Sequence, residues 1–179
     1  MEISYKGNIL DTSKNIEISY LHDSDIIELL EALADMDIEG AALPSRIGIV
    51  SKYYPFLSNL SIIENIILPL EYHEHNTKKE AIEKVEQRLE SLGLTGVMHS
   101  RKEAVNKTEL YRAMFLRGIV LNPEVVLMSD FKYSLTLKEF KDVLPSLMGV
   151  MNSGTRMWIG VGEGHALDWG YDMEVALGC

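Results

Sequence analysis

An α/β fold built on a parallel sheet is predicted by three observations. Runs of β-branched and aromatic residues alternate with stretches of helical periodicity along the chain. Some of those runs, such as "RIGIV" and "EVVLM", are apolar nearly throughout, as in strands buried on both faces. The chain has 179 residues, 46% hydrophobic and 25% charged, which suits one domain with a core of its own.

The elements follow in order. "NIEISYL" (Asn15 to Leu21) is a strand, halted at "HDSD". "IIELLEALAD" then has apolar residues at helical spacing, and Asp25 followed by Glu28 has the pattern of a capping box, so the helix is expected to start at Asp25. "RIGIV" (Arg46 to Val50) is a second strand. From Tyr53 to Leu70 the chain is apolar but interrupted by Pro55 and Pro69, which predicts a loop, a short helix and another turn. "TKKEAIEKVEQRLESLGL" has Ala81, Val85, Leu89 and Leu92 on one face and charges elsewhere, a solvated helix ending near Gly93. Residues 108–121 form a more buried helix closed by Asn122-Pro123. The strand "EVVLM" follows, then a helix from about Thr136 to Asn152, the strand "RMWIGV" and a last strand at "MEVAL". In such sheets ligands sit at the carboxyl ends of the strands.

Bulk properties narrow the function. A net charge of −10 argues against general nucleic-acid binding, which needs a surplus of Lys and Arg. The single cysteine, Cys179, forms no internal disulfide, and no stretch approaches the ~18 apolar residues of a membrane span. The N-terminus has neither the basic nor the apolar region of a secretory signal. The expectation is a cytoplasmic protein with no direct membrane insertion. His73-Glu74-His75 has an H-x-H spacing but no third ligand nearby, so no metal site is expected. The run Gly160 to Gly164 is G-x-G-x-G near the chain end with no βαβ unit after it, which is not a dinucleotide loop.

The frame "LRGIVLNPEVVLMSD", together with "RIGIVSKYYPFLSNLSIIENIILPL", "SGTRMWIGVGEG" and "YDMEVALG", resembles the ATP-binding subunit of an ABC transporter. The likeness runs from about Ile47 to Gly178, and "ENIILPL" is similar to the subunits that energise lipid-transport permeases. The resemblance implies a P-loop NTPase-like, three-layer core in one domain over 1–179. It also implies a helical insertion at about 53–121 and an antiparallel subdomain trimmed to little more than "DMDIEGAALPSR".

The departures from that family concentrate in its reaction centre. His22-Asp23-Ser24-Asp25 stands where a glycine-rich loop would cradle phosphates, with no glycine or lysine and two carboxylates beside a helix N-terminus. Each charge-assisted bond lost there is worth roughly 1.5–3 kcal/mol. The Q-loop glutamine position is Lys52, and the signature is replaced by Val105 followed by Asn106, Lys107, Thr108 and Glu109. Ser129 holds the Walker B aspartate position, Asp130 the catalytic glutamate position and Thr136 the D-loop aspartate position. The H-loop histidine position falls at Gly162, with His165 three residues on. These positions are read as vestigial, with no catalytic residue, no metal and no cofactor; ATP and magnesium enter only under an alternative, a residual ATPase using Asp130 and Lys52.

By contrast, the stretch from Tyr53 to Leu70 keeps its character. In the family this groove receives a cytoplasmic helix of the permease, so Tyr53, Tyr54, Phe56, Leu57, Leu60 and Ile63 are the expected partner-binding residues. The reading is a non-hydrolysing subunit, structural or regulatory, docked on a membrane permease, with homodimerisation a further option. The remaining alternative is a soluble interaction protein outside transport.

Overall fold

The computed structural model describes residues 2–35, 46–129, 134–162, 167 and 169–177. The chain divides into two compact units. One comprises Met1–Ser51, Pro123–Asp130 and Gly154–Cys179, the other Lys52–Asn122 and Phe131–Ser153.

The first unit opens with β1 (Glu2–Tyr5) and β2 (Asn8–Asp11), an antiparallel hairpin. Its two turn residues, Lys6 and Gly7, have φ of 45° and 81°, as a two-residue hairpin turn that follows the natural strand twist demands. No strand was expected before Asn15. The "KG" turn was the available signal, but each strand is only four residues long and each buries a single side chain, Ile3 and Leu10.

The unit then builds β3 (Ile16–Tyr20), α1 (Asp23–Asp35), β4 (Ile47–Val50), β5 (Val125–Met128), β6 (Arg156–Gly162) and β7 (Met173–Leu177). The last five strands form one sheet in the order β4-β5-β6-β3-β7, and every neighbouring pair is parallel. This is the α/β parallel sheet that the alternation of runs predicts, and it is consistent with a P-loop NTPase-like fold. Register explains the core. Ile16, Ile18 and Tyr20 share a face with Trp158, Leu127, Val125, Ile47, Val175 and Leu177. Onto that cluster α1 brings Ile26, Leu29, Leu30 and Leu33, all nearly fully buried, each contributing about 1.5–3 kcal/mol by leaving water. Gly160 lies under the first turn of α1, where a Cβ would come within 3.2 Å of Ile26 Cδ1. Glycine is what permits that approach.

The second unit is helical: α2 (Ile62–His73), α3 (Lys78–Ser91), α4 (Lys107–Ile119) and α5 (Leu137–Gly149). Each starts with a complete capping box, formed by Ser61/Glu64, Thr77/Glu80, Asn106/Glu109 and Thr136/Glu139. Such an N-cap is worth about 1 kcal/mol against alanine. α2 packs on α3 and α4, and α4 on α5; Tyr111 meets Phe140 edge to face, with centroids 6.0 Å apart. Arg88 of α3 donates to Asn122 Oδ1 (2.7 Å) and Asn152 Oδ1 (3.1 Å), joining α3 to the residues just beyond α4 and α5.

Two expectations about helix bounds are corrected. α2 runs through Pro69 rather than stopping before it, because Ile62, Ile63, Ile66, Ile67 and Leu70 bury one face that the proline does not interrupt. The proline removes one backbone bond and leaves the packing intact. α1 begins at Asp23, two residues earlier than its D-x-x-E pattern suggests.

Candidate functional site: strand ends and a pinned loop

The parallel register of the first unit groups the carboxyl ends of the strands at two levels, β4 and β5 ending opposite Ile159 and β3, β6 and β7 running on to Gly162. Val50 lies opposite Met128, and Tyr20 lies between Gly162 and Leu177. Ser129 therefore follows the end of β5 directly. It is buried, its N–H donates to Val50 O at 2.9 Å, and its Cβ is 3.5 Å from the position a Cβ on Gly160 would take. Gly162 ends β6 beside Tyr20. Asp130 and His165 fall outside the described residues.

The connection from β3 to α1 consists of Leu21 and His22 alone. Asp25 turns back over it: its Oδ2 accepts the His22 N–H at 2.9 Å, while the Asp25 N–H donates to His22 O at 2.9 Å. This is why the helix starts early. His22 takes the capping position and Asp25 plays the part usually taken by a third-position glutamate. Asp23 and Asp25 both stand in the first turn, and Ser24 is exposed. A phosphate would need free N–H groups and positive potential at this helix end. Here a carboxylate already holds the His22 amide, and two acids complement the dipole. The residues present do not make a triphosphate cradle.

The residues from Asn106 to Glu109, expected to be vestigial signature positions, have a local task in the structure. Asn106 Oδ1 accepts the Glu109 N–H at 2.9 Å, and Glu109 Oε2 accepts the Asn106 N–H at 2.9 Å. Glu109 is thus folded back on its own helix. Lys107 is exposed and Thr108 half-buried in the first turn of α4. Thr136 caps α5 in the same way, with Glu139. Lys52 lies with Nζ 4.8 Å from the centroid of the Tyr53 ring. Among the described residues no group of His, Cys, Asp and Glu is placed to hold a metal ion, and none of their helices is long and apolar enough to cross a membrane.

The stretch before α2 is built differently. Tyr53, Tyr54 and Leu57 are 37%, 39% and 50% exposed. Phe56 and Ile63, expected at a partner surface, are corrected to core positions, 2% and 1% exposed, and Leu60 is half-buried. The reason is that the loop is held from inside by three polar side chains. Arg117 of α4 donates to the carbonyls of Tyr54 and Pro55 and lies over the Phe56 ring, 4.8 Å from its centroid. Lys102 Nζ donates to Phe56 O at 2.8 Å. Asn65, buried in α2, accepts the Leu57 N–H at 2.7 Å and donates to the carbonyls of Leu57, Leu60 and Ser61.

Burial lowers the pKa of Arg117 to about 10, which still leaves it charged at neutral pH. At the start of α2 the Lys78 ammonium, then the Ser61 hydroxyl and amide, hold the Glu64 carboxyl down at about 2. Sequence reasoning missed Asn65, Lys102 and Arg117. The available signal was Asn65 itself, an amide among isoleucines in "IIENIILPL", because a polar group in an apolar face must find partners.

The chain is similar to ATP-binding subunits of ABC transporters. It is 26% identical over 121 residues to the lipoprotein-releasing system ATP-binding protein of Rickettsia bellii, covering 68% of this chain and 54% of the relative. To the glutamate/aspartate import ATP-binding protein of Escherichia coli it is 26% identical over 125 residues, 70% and 52% of the two chains. To an ABC transporter ATP-binding protein of Bacillus subtilis it is 28% identical over 109 residues, 59% and 40%. No family model matches the chain. The chain spans about half the length of the first two of these relatives. The expectation of no cofactor is overturned by these relatives, which are ATP-binding proteins by name. Counting lost phosphate contacts bears on affinity at one loop and does not establish that nucleotide is absent.

Proposed function

From this similarity to ABC transporter ATP-binding subunits, we propose that the chain is a nucleotide-binding-domain homologue that does not hydrolyse ATP. In this reading it serves as a structural or regulatory subunit of a membrane transport assembly. It is cytoplasmic, peripheral to the membrane through a permease subunit, and that subunit docks on the segment from Tyr53 to Leu70. The observation that carries the proposal is the contrast between two parts of the molecule. Where hydrolysis would need a phosphate loop and a metal-binding aspartate, the chain has Leu21-His22 capped by Asp25, and Ser129. Where docking needs a fixed surface, three side chains hold the loop backbone and leave Tyr53, Tyr54 and Leu57 facing solvent. Aromatic anchors already held in place lose little entropy on binding. The segment 53–121 acts in this reading as the family's helical insertion.

The test has two arms. Purified protein is assayed for bound nucleotide and for phosphate release separately, and magnesium-dependent turnover abolished by Asp130→Asn would overturn the non-hydrolysing reading. Such turnover would favour the residual ATPase, which the ATP-binding relatives support. In the second arm, Tyr53→Ala/Tyr54→Ala/Leu57→Ala is compared with wild type for co-purification with a multi-span protein from solubilised membranes. The variant is expected to fold normally and lose the partner, since an interface anchor is commonly worth about 2 kcal/mol or more. Recovery of the partner at wild-type yield rejects the docking segment.

A further inference from the structure

The loop proposed above to receive a partner is bordered by positive charge, in a chain whose net charge is −10. From Met98 to Arg117 five Lys and Arg stand against two Glu. Three of these bases meet the loop or the cap of α2. Arg117, half-buried in α4, donates to the carbonyls of Tyr54 and Pro55. Lys102, also half-buried, donates to Phe56 O at 2.8 Å. Arg101 is exposed and forms a single antiparallel bridge with Ser61, the residue that caps α2.

Carbonyls satisfy the donors of Arg117 and Lys102 without cancelling their charge. Among the described residues no carboxylate bonds to Arg101, Lys102 or Arg117. The segments that meet here, residues 52–65, 98–104 and 107–119, are all described. The acids closest in sequence are engaged elsewhere or open to solvent. Glu64 holds Lys78 and Ser61, Glu109 holds the Asn106 amide, and Glu103 is exposed. Burial accounts for the lowered pKa of Arg117, with no acid pulling it back up. A guanidinium has five N–H donors in a fork that matches a carboxylate, so the two carbonyls leave part of it unused.

Beside these cations Tyr53, Tyr54 and Leu57 face solvent. Apolar anchors edged by uncompensated positive charge fit a ligand that carries apolar side chains and acids together. Resting on the docking reading above, we infer that the occupant is an acidic amphipathic segment of the membrane partner. Its apolar side chains meet Tyr53, Tyr54 and Leu57, and its carboxylates meet Arg101, Lys102 and Arg117. The charge of the whole chain works against this choice, since a net charge of −10 repels acids at long range and attracts bases. A preference for acid therefore reports the local surface and not the general field.

The experiment uses the full chain and two fluorescent helical peptides of about fifteen residues. Both share one Leu/Phe face, and the polar positions are all Glu in one and all Lys in the other. Anisotropy titrations are run at about 50 mM and about 500 mM salt. The Glu peptide is expected to bind about tenfold tighter than the Lys peptide at low salt, and to lose most of that lead at high salt. Arg101→Glu touches an exposed side chain that makes no bond, so the fold should survive while the Glu peptide weakens about fivefold or more. Arg101→Gln should fall between. Equal or tighter binding of the Lys peptide, binding of neither peptide, or no effect of Arg101→Glu overturns the inference. The Tyr53→Ala/Tyr54→Ala/Leu57→Ala variant separates the two readings. If it loses the Glu peptide while Arg101→Glu keeps it, the charge assignment fails and the docking segment stands. If it keeps a peptide that Arg101→Glu loses, the docking segment fails instead.

Discussion

Replacing Arg117 with alanine isolates what the pinned loop contributes. The side chain makes two charge-assisted bonds, to the carbonyls of Tyr54 and Pro55, and lies over the Phe56 ring. Such bonds run at about 1.5–3 kcal/mol each, and a partly desolvated cation–π contact adds about 1 kcal/mol. Tyr54 and Pro55 are exposed, so water can take up both freed carbonyls and return much of the hydrogen-bond energy. The net loss is then about 3 kcal/mol, which for a chain of this length is a fall of roughly 6–12 °C in Tm. Arg117→Lys should recover less than half of it, because one ammonium cannot span two carbonyls and also stack on a ring. Thermal melts followed by circular dichroism give the stability, and hydrogen exchange at Phe56 and Leu57 gives the loop. If Arg117→Ala melts within a degree of wild type with unchanged exchange, the guanidinium does not hold the loop and the case for a pre-formed docking surface fails.

Two further outcomes follow from the start of α2. Asn65→Leu strands the Leu57 N–H and takes the side-chain donor from the Leu60 carbonyl, while the Leu57 and Ser61 carbonyls keep backbone donors, and should cost about 2–3 kcal/mol in urea denaturation, the amide making about three bonds at roughly 1 kcal/mol net each; a loss under about 0.5 kcal/mol contradicts the assignment. Glu64 has its carboxyl lowered to about 2, so the stability it lends is present above the ordinary value of 4.5 and is lost as pH falls from 4.5 towards 2. Lys78→Met removes the largest cause and should raise the Glu64 midpoint in an NMR titration; an unmoved midpoint means the ion pair is not formed in solution.

The parallel sheet was legible because Val, Ile and Met in "RIGIV" and "EVVLM" leave little but a buried strand, and because Asn122-Pro123 ends a helix unambiguously. The Asp25–Glu28 capping box is not formed: Asp25 turns back to accept the His22 N–H and Glu28 bonds to Lys6, a choice that the D-x-x-E pattern alone does not reveal. Pro69 misled because a proline rule concerns one hydrogen bond while α2 is held by five buried side chains. The proposed docking stretch was half legible. Composition gives five bulky residues at 53–57 but not which of them turn inward, and that choice is made by Arg117, about sixty positions away in the chain.

The chain changes unit four times, after Ser51, Asn122, Asp130 and Ser153. Neither unit is therefore a module that a single cut can free. A fragment covering only 52–122 would lack α5 and leave Tyr111 without Phe140, a bare aromatic on an otherwise finished helix. Excising the helical unit would require two deletions and two new joints, Ser51 to Pro123 and Asp130 to Gly154, each made between strands of one sheet. Recombination and truncation are poor routes to variety in such a thread.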